Sequence, residues 1–240
     1  MSGNSGRWPA LVLCLAGGLA WGFGQATDAG DDPWQNVQVL EGASREDMDL
    51  FMRAISASLG VECAYCHEPE GWHLEGREEK RIARSMMRMV ASLSETGFEA
   101  LDLPSCWTCH RGSATPGTMP GPDVAPPPAY PAGAFSDSPA PAGEVYENIR
   151  QLGSLPARDL AGVMATYSRS LGVGCEHCHV PGDWASDERL AKLLARRMFE
   201  IQTETSQTFF ESGREISCWT CHHGEAVPEL SVPVRLMPEL

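Results

Sequence analysis

Apolar side chains recur along this chain with a helical rather than an alternating period. Met48, Met52, Ile55, Ser56 and Leu59 fall on one helical face, and 112 residues later Leu160, Met164, Tyr167, Ser168 and Leu171 do the same. Gly60 and Gly172 follow as stop signals. A second helix is predicted over residues 78–96, with Ile82, Ala83, Met86, Met89 and Leu93 on one face; its counterpart carries Leu194, Ala195, Met198 and Ile201. No strand pattern of comparable length occurs, so the expected fold is mainly α with little or no sheet.

The first apolar run is of another kind. Arg7 precedes an apolar run over residues 8–23, and Gly24-Gln25-Ala26 ends it as a small-x-small cleavage site, so residues 1–26 read as a signal peptide. The run is interrupted by Gly17, Gly18 and Gly22 and is shorter than the ~20 residues of a spanning helix, which makes an uncleaved anchor the alternative. Cys14 follows Leu13, where a lipoprotein signal would place a small residue, so Cys14 belongs to the leader. The expected location is periplasmic, with membrane association only through a partner or an uncleaved leader.

Composition narrows the function. The chain is 42% hydrophobic but only 8% aromatic, with 24 Gly and 18 Pro, so its core needs a supplement. A net charge of −14 argues against nucleic acid or anionic lipid as charge-bound partners and favours a basic partner surface.

Without Cys14, eight cysteines remain, all in C-x-x-C pairs followed directly by histidine: Cys63/Cys66 with His67, Cys106/Cys109 with His110, Cys175/Cys178 with His179, and Cys218/Cys221 with His222. Four coincidences of this kind have a chance of roughly one in a million. In C-x-x-C-H, two thiols form thioethers to the vinyl groups of one haem, and the next residue places an imidazole under the iron. Four sites imply four covalently bound c-type haems. A disulfide framework leaves the histidines unexplained, and the 39 residues between Cys66 and Cys106 exceed the ~15–20 usual between zinc knuckles.

Shifting the sequence by 112 positions superposes residues 36–112 on 148–224 without a gap, with roughly 30 of 77 pairs identical. All haem cysteines and histidines superpose. The expected organisation is a signal peptide (1–26), an N-terminal segment (27–35), a dihaem module (36–115), a Pro-rich linker (116–142), a second dihaem module (143–228) and a tail (229–240). Residues 116–141 hold nine of the 18 prolines and no periodic apolar pattern, which suits a stiff extended linker; ordered coil wrapped on the surface is the other reading.

The repeat also selects distal iron ligands among the ten methionines. Met52 and Met164 each lie 11 residues before the first cysteine of their motif, and Met86 and Met198 each lie 20 before theirs. Met48, Met87 and Met89 match Leu160, Phe199 and Ile201, which cannot ligate iron, so these three are packing residues. Met52, Met86, Met164 and Met198 are therefore the expected distal ligands. His73, His177 and His223 are the rival distal ligands, but none has a histidine at the matched position, and all three are expected to be solvent-exposed. Trp72, Trp107, Trp184 and Trp219 suit porphyrin packing or plain core packing equally. Arg77, Lys80 and Arg84 recur as Arg189, Lys192 and Arg196; a solvated charged face is expected, with haem propionates as the alternative partner.

Four C-x-x-C-H sites in two repeats, each preceded by a helix bearing a methionine, as in FMRAISASLGVECAYCH over residues 51–67, resemble the tetrahaem cytochrome subunit of photosynthetic reaction centres, a family with homologues in non-phototrophic bacteria. The resemblance covers roughly residues 36–224. It implies a multihaem c-type cytochrome on the periplasmic face of a membrane complex, passing electrons from soluble carriers to oxidised bacteriochlorophyll. Two features depart from the family: the leader has no lipid site, and residues 90–103 contain no histidine to give one haem a second imidazole. The function expected is electron transfer along a haem chain to or from a membrane reaction centre or respiratory complex and a basic soluble carrier, with no catalytic residue. A multihaem oxidoreductase with one open haem is the alternative, and a methionine matched to every site counts against it.

Overall fold

The computed structural model describes residues 35–95, 104–125, 129–131, 133–213 and 215–237. The predicted leader lies outside them. In the first repeat, α1 (Arg45–Leu59) starts at Ser44, whose hydroxyl accepts the Asp47 amide at 3.1 Å, and carries Glu46 and Asp47 against the positive helix end. A 3-10 turn (Cys63–Tyr65), the long helix α2 (Glu78–Glu95) and the short helix α3 (Cys106–His110) follow. After α4 (Ala142–Val145), the second repeat supplies α5 (Leu160–Leu171), α6 (Cys175–Cys178), α7 (Leu190–Phe209) and α8 (Cys218–His222). Among the described residues there is no sheet, only isolated bridges such as Glu68 with Gly71 and Val180 with Asp183.

The repeat predicted from the sequence is visible in space. α1 packs on α3 and α5 on α8, while α3 meets α8 and α2 meets α7. The last two contacts join an element to its own repeat mate, as a twofold relation between modules requires. Gly60 and Gly172 close α1 and α5 in the left-handed conformation, at φ 65° and 64°. At each stop the helix end touches the loop after the short helix: the Gly112 amide donates to the Ser58 carbonyl and the Gly224 amide to the Ser170 carbonyl, both at 2.8 Å.

Buried apolar side chains among the described residues include Met48, Met89, Leu93, Trp107, Leu160 and Ile201. Two residues expected on the core face of the long helices are instead exposed: Ile82 at 52% and Leu194 at 47%. They are repeat mates, and their shared exposure has a local cause. The first turns of α2 and α7 face loops of backbone carbonyls, which call for a cationic donor, and Lys80 and Lys192 turn inward there.

The segments after each module cross to the other one. Beyond α3, the Thr118 carbonyl accepts from Ser217 Oγ at 2.5 Å and the Gly121 carbonyl from Arg169 Nη2 at 2.7 Å. Beyond α8, Glu229 returns to accept from Trp107 Nε1 at 2.9 Å and to pair with Arg111. The described part of the proline-rich stretch is ordered coil held on the second module. Tyr130 donates to the Ala161 carbonyl at 2.7 Å, and the Ala140 and Ser138 carbonyls accept from Ala157 and Arg158. Proline removes donors, and the docking falls to the carbonyls of residues between the prolines and to the Tyr130 hydroxyl.

Candidate haem sites

Each C-x-x-C-H segment folds into one helical turn. In α3 and α8, residues i, i+3 and i+4 are the two cysteines and the histidine, so all three project from one face. In the other two motifs the same turn is closed by the His67 amide on the Cys63 carbonyl and the His179 amide on the Cys175 carbonyl, both at 3.0 Å. The Thr within each CWTCH has a structural role that went unread. Ser105 and Ser217 are N-caps, and their backbone amides donate to Thr108 Oγ1 and Thr220 Oγ1 at 3.0 Å, with both threonines 1% exposed. The S-x-x-T spacing, present twice in the sequence, was the available signal.

None of the eight motif cysteines is paired in a disulfide. Burial pushes the pKa of the Cys66, Cys106, Cys178 and Cys218 thiols up, so these thiols stay protonated beyond their ordinary range. Cys109 and Cys221, repeat mates, meet with their sulfurs 3.1 Å apart. That hydrogen bond, then burial, holds Cys109 well above its ordinary value.

The four motif histidines share a decisive geometry. His67 Nδ1 lies 3.1 Å from the Trp72 carbonyl and His179 Nδ1 3.2 Å from that of Trp184. His110 Nδ1 lies 2.8 Å from the Ser113 carbonyl and His222 Nδ1 2.9 Å from that of Glu225. A carbonyl can only accept, so Nδ1 carries the proton and Nε2 keeps a free lone pair. Burial also lowers the basicity of all four rings, favouring the neutral form that ligates metal. Paired free thiols beside a neutral imidazole with fixed tautomer are the donor set a c-type haem needs, and these residues fit that group. Among the described residues no three His, Cys, Asp or Glu side chains converge on a metal-ion position.

Met52 on α1, Met86 on α2, Met164 on α5 and Met198 on α7 are all half-buried. Met48 and Met89, assigned to packing, are 4% and 6% exposed. Among the other histidines, His73 and His177 are exposed, but His223 is not. It occupies the left-handed C-cap of α8 at φ 50°, and its ring meets Trp219 edge-on at 5.6 Å; burial, then the nearby Arg111 charge, lowers its basicity. Trp107 is buried at 8% and bound to Glu229, whereas Trp72 is 55% exposed with its ring edge-on to His67 at 5.0 Å.

The expected solvated face of Lys80 and Arg84 is also corrected. Lys80 is 7% exposed and Arg84 pairs with Glu75 at 2.6 Å; Lys192 is 8% exposed and Arg196 pairs with Asp187 at 2.8 Å. The arginine hydrogen bond is the main reason that Glu75 and Asp187 titrate at about 2. Asn36 and Asn148, both at positive φ, complete matched networks by donating to Glu75 at 2.6 Å and to Asp187 at 2.8 Å.

Thiol pairs, histidines with fixed tautomers and a twofold repeat of helices define a c-type cytochrome architecture. The profile of the photosynthetic reaction centre cytochrome C subunit family matches residues 23–120 and again 119–233, and the chain belongs to that family. It is 37% identical over 99 residues to the photosynthetic reaction center cytochrome c subunit of Thermochromatium tepidum, a stretch covering 39% of this chain and 24% of that protein. The corresponding subunit of Rubrivivax gelatinosus is 30% identical over 92 residues, covering 37% and 25% of the two chains. Cytochrome c-554 of Chloroflexus aurantiacus is 32% identical over 82 residues, covering 32% and 20%. The matched stretches thus span a quarter or less of these relatives' own length.

Proposed function

We propose that this chain is a periplasmic four-haem cytochrome that carries electrons between a basic soluble donor and a membrane redox complex, a reaction centre or a respiratory one. The observation that carries the reading is the Nδ1–carbonyl bond repeated at His67, His110, His179 and His222, each beside a free thiol pair. When bound, each haem supplies a reversible one-electron iron couple. The thiols of Cys63/Cys66, Cys106/Cys109, Cys175/Cys178 and Cys218/Cys221 anchor the rings, and the four histidines ligate through Nε2. Met52, Met86, Met164 and Met198 would supply the remaining ligands to the iron and so exclude exogenous ones. The proposed modules, residues 36–115 and 143–228, meet at Cys109 and Cys221, so haems held there would be the neighbours between which an electron could pass from one module to the other.

The net charge of −14 favours a positively charged donor surface and an association that weakens with salt. Among the described residues no helix is long and apolar enough to cross a membrane. The predicted leader would deliver the chain across one. Haem counting by alkaline pyridine spectroscopy on the exported, haem-loaded chain, followed by a redox titration, tests the reading. Four haems, all poorly reactive to carbon monoxide when reduced, are expected. A lower count, or one haem that binds carbon monoxide readily, would overturn the four-haem carrier in favour of an open-haem oxidoreductase.

A further inference from the structure

The chain has only two lysines, Lys80 and Lys192; its other basic residues outside histidine are arginines. The two are repeat mates, and at 7% and 8% exposure both are buried. A buried ammonium is costly unless its protons find acceptors. Lys80 Nζ donates to the Trp72 carbonyl at 2.8 Å and the Leu74 carbonyl at 2.7 Å, with Glu75 at 3.2 Å. Lys192 Nζ donates to the Trp184, Ala185 and Ser186 carbonyls at 2.9, 3.1 and 2.7 Å, with Asp187 at 3.5 Å.

The first acceptor in each set is the carbonyl that also takes the Nδ1 proton of His67 or His179. Arg84 and Arg196 bind the same acids, so Lys80, Arg84 and Glu75 together keep one net positive charge, as do Lys192, Arg196 and Asp187, with Arg150 adding a further cation 3.9 Å from Asp187. His110 and His222 are held differently. Their acceptors, Ser113 and Glu225, lie three residues on in tight turns, and both lysines are committed elsewhere.

A carbonyl shared with an ammonium is a weaker acceptor for the imidazole proton, which leaves the imidazole a poorer electron donor at Nε2. The positive charge acts in the same direction, because it opposes the more positive ferric state. We propose that Lys80 and Lys192 are positioning residues that act through the Trp72 and Trp184 carbonyls on His67 and His179, raising the midpoint potentials of the haems held there above those the same ligands would give alone. This rests on His67 and His179 being proximal ligands.

The test is a spectroelectrochemical titration of the full haem-loaded chain carrying Lys80→Gln, Lys192→Gln or both. Each single substitution is expected to lower one of four midpoints by about tenfold in equilibrium constant, about 59 mV for one electron. The double substitution lowers two, and Lys80→Arg, which keeps the charge, restores the wild-type value within about threefold. A purely structural clamp would cost stability and leave the midpoints in place. Four unmoved midpoints in a chain that retains four haems overturn the inference and leave the proposed function standing; a wild-type chain lacking haem at Cys63/Cys66 or Cys175/Cys178 overturns both. Should the Gln variants fail to fold, Glu75→Gln decides: removing the acid leaves the Lys80 charge less compensated and should raise one midpoint, and four unmoved midpoints refute the inference.

Discussion

Replacing Gly60 with alanine tests how the helices are locked to the haem-binding turns. Two costs can be read from the structure. Gly60 sits at φ 65°, where a non-glycine residue pays about 1–2 kcal/mol. The added Cβ would also fall on the Gly112 carbonyl oxygen, backbone that cannot rotate away. Relief requires α1 and the loop after α3 to part, which stretches the 2.8 Å bond from the Gly112 amide to the Ser58 carbonyl, a further cost of about 0.5–1.5 kcal/mol. Gly60→Ala should therefore cost about 1.5–3.5 kcal/mol. Gly42, at φ 81° with nothing within 4 Å of its ideal Cβ, is the control: Gly42→Ala pays only the backbone term. At about 2–4 °C per kcal/mol for a chain of this size, thermal unfolding followed by far-ultraviolet circular dichroism resolves the difference. Equal losses for the two variants would refute the close approach as the origin of the lock. Gly172→Ala should reproduce the larger loss, because its Cβ would meet the Gly224 carbonyl in the same way.

Acid should loosen the two asparagine networks. Glu75 and Asp187 titrate at about 2 when folded, against 4.5 and 3.8 ordinarily, so their contribution is full above about 4.5 and is lost as pH falls toward 2. Glu75→Gln with Asp187→Asn should flatten the stability profile in that window, measured by denaturant unfolding at stepped pH; an unchanged slope would contradict the assignment. Two methionines three residues apart on α2 should behave differently. Met86→Ala should open one reduced haem to carbon monoxide, whereas Met89→Ala, at a position 6% exposed, should cost about 2–5 kcal/mol without creating a binding site. Carbon monoxide difference spectra beside unfolding curves separate the two, and matching spectra would remove Met86 from the ligand set.

What was legible in the sequence is what one turn of backbone decides. Thiol, thiol and imidazole at i, i+3 and i+4 need no distant partner, and Gly60 and Gly172 announce their left-handed caps by being glycine. The 112-residue repeat then carried the helices and the mainly α fold. Illegible features depend on loops without a period. Nothing in the sequence says that the Trp72 and Leu74 carbonyls aim at Lys80, so the lysine looked like part of a solvated face and Ile82 like core. His223 was misjudged for a related reason: a helix of five residues gives no periodicity from which to read that the next side chain folds back on Trp219. Compositional bias likewise could not choose between a free and a docked proline stretch, because the deciding acceptors are ordinary carbonyls.

The meeting of Cys109 with Cys221 marks an axis on which a position faces its own copy. In a dimer of identical chains, any substitution at such a place would arrive on both sides at once. A single continuous polypeptide lifts that constraint, and the residues around this axis use the freedom: Arg111 binds Glu229, while the matched positions hold His223 and Gly117 and make no such pair. Two halves built to one plan can thus be tuned in opposite senses, giving the molecule a direction that the symmetry of its parts does not contain.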